Sequence, residues 1–145
     1  MPPSDLLAGY PIVVTMPVAW GDLDALGHVN NTVYFRRFED ARIAYLAAIE
    51  LTGDLRDGGV GPILASTHCR FRRPVEFPDT VRTGARVSEV ADDRFTMEYR
   101  IVSERLGEVA AEGGGVVVSY DYGAKAKAPL PDRVRDAIRR LEEGS

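Results

Sequence analysis

Between Trp20 and Asn31 the chain reads Trp-Gly-Asp-Leu-Asp-Ala-Leu-Gly-His-Val-Asn-Asn. Two carboxylates, a glycine, a histidine and two asparagines crowd into one short stretch. A folded core needs no such density of polar groups. A carboxylate here can attack an electrophile or activate a water. The stretch runs straight into a helical pattern, and the open N–H groups of a helix N-terminus can hold a developing negative charge.

Three readings compete for this turn. Asp22-x-Asp24 followed by Gly27 imitates the start of a calcium loop, but Leu26 and Val33 occupy positions that must supply oxygen ligands, so this reading fails. A structural reading rests on the habit of Asp and Asn of bonding their own backbone in turns. A catalytic reading has the turn deliver Asp24 to a substrate held over the helix N-terminus. Spacing alone leaves the last two open.

The flanking elements must position these groups. Tyr10 to Trp20 reads as a strand, with Val14, Met16 and Val18 alternating. A helix follows from Asn31 to Ile49, capped by Asn30 or Asn31. Its apolar face is Tyr34, Phe38, Ala41, Tyr45 and Ile49, which is helical spacing. Thr52 to Pro62 reads as a loop. Four strands come next. In Ile63–Arg73, Ala65, Thr67, Cys69 and Phe71 share one face, and Ser66, His68, Arg70 and Arg72 the other. Pro74 and Pro78 bracket a turn before Thr80–Val90. The next strand places Phe95, Met97, Tyr99 and Ile101 opposite Arg94, Thr96, Glu98 and Arg100. Val109–Asp121 carries Gly113-Gly-Gly115, which marks a bulge or a close backbone approach. After Pro129 and Pro131 a short helix presents Val134, Ile138 and Leu141. One long apolar helix and a run of antiparallel strands joined by short turns predict an α+β layer pair, with the sheet wrapping the helix.

The chain has 145 residues, which suits one domain over 1–145. Its net charge of -4 argues against general nucleic-acid binding. A lone cysteine, Cys69, allows no internal disulfide and reads as a buried structural thiol. The start, Met1-Pro-Pro-Ser-Asp, has neither the basic nor the apolar stretch of a signal peptide, and no apolar run is long enough for a bilayer. A cytoplasmic protein without membrane partners is expected. Two histidines and one cysteine without ligand spacing predict no metal site, and no phosphate-loop or dinucleotide fingerprint is present.

Trp20-Gly-Asp22-x-Asp24-x-x-Gly27-His28-Val-Asn-Asn31, then Tyr34, Phe38-Glu39-x-Ala41-Arg42 and Phe71-Arg-Arg-Pro74 with Asp79, resembles the 4-hydroxybenzoyl-CoA thioesterase-like family of hotdog-fold acyl-CoA thioesterases. The resemblance implies a hotdog fold, a five-stranded antiparallel sheet around one long central helix. It implies hydrolysis of an acyl-CoA to a carboxylic acid and coenzyme A, with no cofactor. Asp24 would be the catalytic carboxylate, and the Asn31 backbone N–H would meet the thioester carbonyl. The family's assembly implies a homodimer joined edge to edge, or a homotetramer, with the site at the dimer interface. The chain departs from the plant acyl-ACP thioesterases, which place an asparagine where Leu26 stands, so a water-positioning side chain is missing and Asp24 is left as the main candidate. Two other readings are a hydratase or dehydratase on the same fold and a non-catalytic acyl-CoA binding module.

Secondary candidates follow. Asp22 reads as a brace for the turn. His28 reads equally as a group that orients Asp24 or the acyl group and as a backbone-bonded histidine. Glu39 is the rival carboxylate, since a related hotdog branch uses a helix glutamate, but a Glu39–Arg42 ion pair is the simpler reading. Tyr34 lines the acyl pocket or sits in the core. Arg70 and Arg72, on one strand face, are candidates for the coenzyme A phosphates, with Arg94, Lys125 and Lys127 as others.

Overall fold

The computed structural model describes residues 6–53 and 58–144, so Met1–Asp5 and the middle of the expected 52–62 loop lie outside the described residues. Spacing of large apolar residues at every third or fourth position makes the long helix, α1, over Asn31–Ala48. Tyr34, Phe38, Ala41 and Tyr45 are buried along one stripe, and Ile49 caps the C-terminal end. The stripe lies on β1 (Ile12–Pro17), β3 (Thr80–Val90) and β4 (Arg94–Ser103), and Phe38 stacks on Tyr99 with ring centroids 4.8 Å apart.

The sheet is antiparallel throughout, in the order β1-β3-β4-β5-β2, with β2 at Val60–Phe71 and β5 at Glu108–Asp121. A two-residue β6 (Ala126–Lys127) pairs with β5 and adds a short sixth strand to the five long ones. Alternation in β4 follows the sequence, with Phe95, Met97, Tyr99 and Ile101 buried against α1. Gly113 is where the sheet bends most closely around the helix. A Cβ there would collide with the His68 carbonyl oxygen and sit 2.7 Å from the Phe38 ring. The glycine run marks a close approach, as its composition indicates.

The bounds of β1 and β2 differ from the sequence reading. The first strand stops at Pro17, and Trp20–Asp22 forms a 3-10 turn. Tyr10 precedes the strand and lies across the outer face of the sheet, over Gly84 and beside the Arg86 and Arg100 guanidinium groups. β2 begins at Val60 and so absorbs Val60-Gly-Pro62 from the expected loop. Pro62 is tolerated because β2 is an edge strand bonded only to β5. α1 covers β2 only in part. Leu64 and Phe71, on its α1 side, remain 40% and 44% exposed.

The C-terminal helix α2 (Asp132–Glu143) closes the far end, burying Val134 and Ile138. Glu142 is its anchor: its carboxylate accepts from the Tyr45 hydroxyl at 2.5 Å and from the Val87 N–H at 3.0 Å. Burial, followed by the contact with Glu142, pushes the Tyr45 phenol far up, so it remains a donor at any working pH.

Replacing Gly113 with Ala forces a methyl group into a neighbouring backbone and the Phe38 ring. Overpacking of this kind costs about 1–3 kcal/mol. Chemical denaturation of Gly113→Ala should show a lower midpoint with an unchanged slope.

Candidate active site

Asp22 fixes the turn by its ends. Its carboxylate accepts from the Ala19 N–H at 2.9 Å, and its carbonyl accepts from the Asn30 N–H at 2.9 Å. Leu23 and Val29 form an isolated antiparallel bridge. Inside it the Asp24 N–H donates to the His28 carbonyl at 2.8 Å, and Gly27 takes a left-handed conformation (φ 83°) that closes the loop. Asp24 Oδ1 accepts from the Leu26 N–H at 2.8 Å and the His28 N–H at 3.3 Å. One carboxylate oxygen is therefore structural, in the manner of an Asx turn. Among the described residues Oδ2 has no partner. The structural and the catalytic readings of Asp24 thus fall on different oxygens of one side chain.

Asn30, not Asn31, is the N-cap of α1. Its Oδ1 accepts from the Thr32 N–H at 2.9 Å and the Thr32 hydroxyl at 3.0 Å, and its carbonyl accepts from the Val33 N–H. The cap leaves one amide over: among the described residues nothing accepts from the Asn31 N–H. A donor at a helix N-terminus, unspent, stands next to a turn that presents an unspent carboxylate oxygen.

The wall of the site comes from the chain after β2. The Tyr34 hydroxyl donates to the Arg73 carbonyl at 3.4 Å and accepts from the Val75 N–H at 3.2 Å, and the Val75 carbonyl accepts from the Val29 N–H at 2.8 Å. Burial raises the Tyr34 pKa and the Val75 N–H only partly offsets it, so the phenol stays protonated. Phe71 meets the Tyr34 ring edge-on at 5.0 Å. These groups enclose an open depression of about 290 Å³ whose lining includes Asp24, His28, Asn31, Tyr34, Phe71 and Arg72.

Five of the six predicted site residues, Asp24, His28, Asn31, Tyr34 and Arg72, are thus brought together. Arg70 is not among them. It lies on the outer sheet face in a second depression of about 360 Å³, with His68, Arg86 and Arg100 around a floor of Gly113 and Gly114. Arg72 borders both hollows. Its Nε pairs with Glu112 at 2.6 Å, and Arg100 pairs with the same carboxylate at 3.1 Å. Burial would raise the Glu112 pKa, but Arg100 and Arg72 together hold it below the ordinary carboxylate value. Phe71, Arg73 and Pro74 complete the site wall; the sequence offers them as the Phe71-Arg-Arg-Pro74 motif, without a site role. Glu39 stands apart from Asp24, 3.9 Å from Arg42 and beside Phe35 and Leu64 in a groove between α1 and β2. Cys69 is half-buried on the helix side, and burial pushes its thiol up to about 11. Among the described residues no three His, Cys, Asp or Glu side chains converge on a metal position, and no helix is long and apolar enough to cross a membrane.

A model of the thioesterase-like superfamily matches residues 18–138. A thioesterase from Thermus thermophilus, solved with coenzyme A and zinc, is 36% identical, covers 94% of this chain and 98% of its own, and superposes with a TM-score of 0.80. A thioesterase-superfamily protein from Jannaschia sp. CCS1 is 27% identical over 99% of this chain and 93% of its own, with a TM-score of 0.84. The gentisyl-coenzyme A thioesterase BH1999 is 28% identical over 87% of this chain and 98% of its own, with a TM-score of 0.75.

Asn30→Ala removes the cap that satisfies Thr32. Loss of an N-cap costs about 0.5–2 kcal/mol. Thermal unfolding should shift down accordingly, and restoring the cap as Asn30→Asp should recover most of the loss.

Proposed function

Since the chain belongs to the thioesterase-like superfamily, we propose that it hydrolyses an acyl-CoA thioester to a free carboxylic acid and coenzyme A. One observation carries the assignment of chemistry to residues: Asp24 and Asn31 line one depression, and among the described residues Asp24 Oδ2 and the Asn31 N–H have no partner. The thioester carbonyl oxygen lies at the Asn31 N–H, where the helix N-terminus stabilises the oxyanion that forms. Asp24 then has two routes. As nucleophile it adds to the carbonyl carbon, the C–S bond breaks, the thiolate leaves, and water hydrolyses the mixed anhydride. As general base it takes a proton from water, whose oxygen adds to the same carbon. A thiolate is a good leaving group, so neither route needs a strong acid. Leu26 and His28 keep the carboxylate aimed through their amides.

His28 and Tyr34 flank the acyl group in this reading. Arg72 stands where the two hollows meet, and the coenzyme A phosphates run over it toward Arg70. The free edge of β2 supports pairing with a second copy into a homodimer, and dimers of that kind build a homotetramer. A single cysteine fits the reducing cytoplasm, where we place the protein as one domain.

Thiol release from acyl-CoAs ranging from short aliphatic through aroyl to long-chain tests the assignment. Asp24→Asn should lose about 10²–10⁴-fold in kcat while keeping the wild-type circular dichroism. Wild-type rates in that variant would overturn the role of Asp24 and turn attention to Glu39. Hydration without thiol release would show a hydratase, and binding without turnover a binding module. Arg70→Gln and Arg72→Gln should each raise KM for acyl-CoA by roughly one order of magnitude, the scale of a lost charge-assisted hydrogen bond. The same acyl group on N-acetylcysteamine, which has no phosphates, should show no such change.

A further inference from the structure

We infer that Tyr34 is the specificity-determining wall of the site and restricts it to compact acyl groups, either short aliphatic chains or a single aromatic ring. The inference rests on the thioesterase reading above. An acyl chain whose carbonyl sits at the Asn31 N–H enters the site at the first turn of α1. Tyr34 is three residues further along, about 4.5 Å at 1.5 Å per residue. Its side chain leans back toward the helix N-terminus, as helical side chains do. The ring therefore stands across the path a few carbons from the thioester.

The ring is held there on three sides. Its hydroxyl is bonded to the Arg73 carbonyl and the Val75 N–H, and Phe71 packs against it edge-on. Tyr34 is 5% exposed, and rotating away would break both hydrogen bonds and the contact with Phe71. Behind it the space does not end. A narrow apolar slot of about 20 Å³ continues between α1 and the sheet, bounded by Val18, Val33, Val75, Val81 and Ile101. Val29 and Tyr34 border both the slot and the depression, so the ring is the partition between them. The slot is lined by aliphatic carbon and is closed from the site by Tyr34. At its polar side Arg37 lies 3.3 Å from Asp40, whose charge balances its own. On the open side a depression of about 290 Å³ must hold the thioester and the acyl group. A ring of benzene size takes about 150 Å³, which fits, while a long chain outgrows the depression and, with the slot closed by Tyr34, runs out over the open surface.

The test is a chain-length profile of kcat/KM, from acetyl-CoA to palmitoyl-CoA with benzoyl-CoA included, for wild type, Tyr34→Ala and Tyr34→Phe. Wild type should fall steeply beyond the compact acyl groups. Tyr34→Ala should raise the ratio of long-chain to short-chain kcat/KM by about 10-fold or more, the scale of one or two methylenes gained in an apolar pocket. Tyr34→Phe keeps the ring and should keep the wild-type order of chain lengths, whatever its absolute rate. A flat wild-type profile, or a Tyr34→Ala profile with the wild-type order, overturns the inference. Should Tyr34→Ala fail to fold, Tyr34→Leu trims the same wall with less lost volume, and an unchanged profile there also overturns it. Binding of non-hydrolysable S-alkyl-CoA thioethers separates this inference from the hydrolysis reading. If no thioester is cleaved yet short thioethers bind wild type and long ones bind only the trimmed variants, the wall stands and hydrolysis falls.

Discussion

One residue, Val75, joins the three parts of the site. Its carbonyl holds Val29 at the end of the acidic turn, its N–H holds the Tyr34 hydroxyl in the first turn of α1, and its side chain is buried in the core. The turn, the helix N-terminus and the strand exit are thereby fixed to one another through the two polar backbone groups of one buried residue, not by long surface side chains. Preorganisation of this kind matters for chemistry that relies on a positioned donor and a positioned carboxylate, because groups already in place need no reorganisation at the moment of reaction.

The turn itself shows how a structural and a chemical role share a side chain. A carboxylate spending both oxygens on backbone amides would be a brace and nothing more. Asp24 spends one. Asn30 likewise satisfies Thr32 and Val33 and leaves Asn31 open. The local pattern of hydrogen bonds, more than any distant contact, decides which groups face the depression.

Much of this was legible in the chain. The α1 stripe and the alternation of β4 follow directly from periods of 3.6 and 2, and the Asp22 brace and the Glu39–Arg42 pair follow from local spacing. The start of β2 was not legible, because Gly61-Pro62 has loop composition and only its edge position makes it a strand. Tyr10 was read into β1 because it is β-favouring, whereas packing over Gly84 and between two arginines decides its place. Arg70 and Arg72 share a strand face by alternation. β2 ends at Phe71, so Arg72 belongs to the exit and borders both hollows while Arg70 stays on the sheet. Strand ends are set by tertiary pairing, which a single sequence does not display.

Pro62 has a further consequence for the exposed edge of β2. It sits opposite Ser119, whose N–H is directed to Asp93 on the far side, so in the alternating antiparallel ladder the Pro62 nitrogen faces the open edge. That nitrogen carries no hydrogen. A strand docking along the edge finds its ladder broken there and must pair from Leu64 onward, toward Phe71. The proline thus works as a stop in a register: it shortens the length of edge along which another strand can bond.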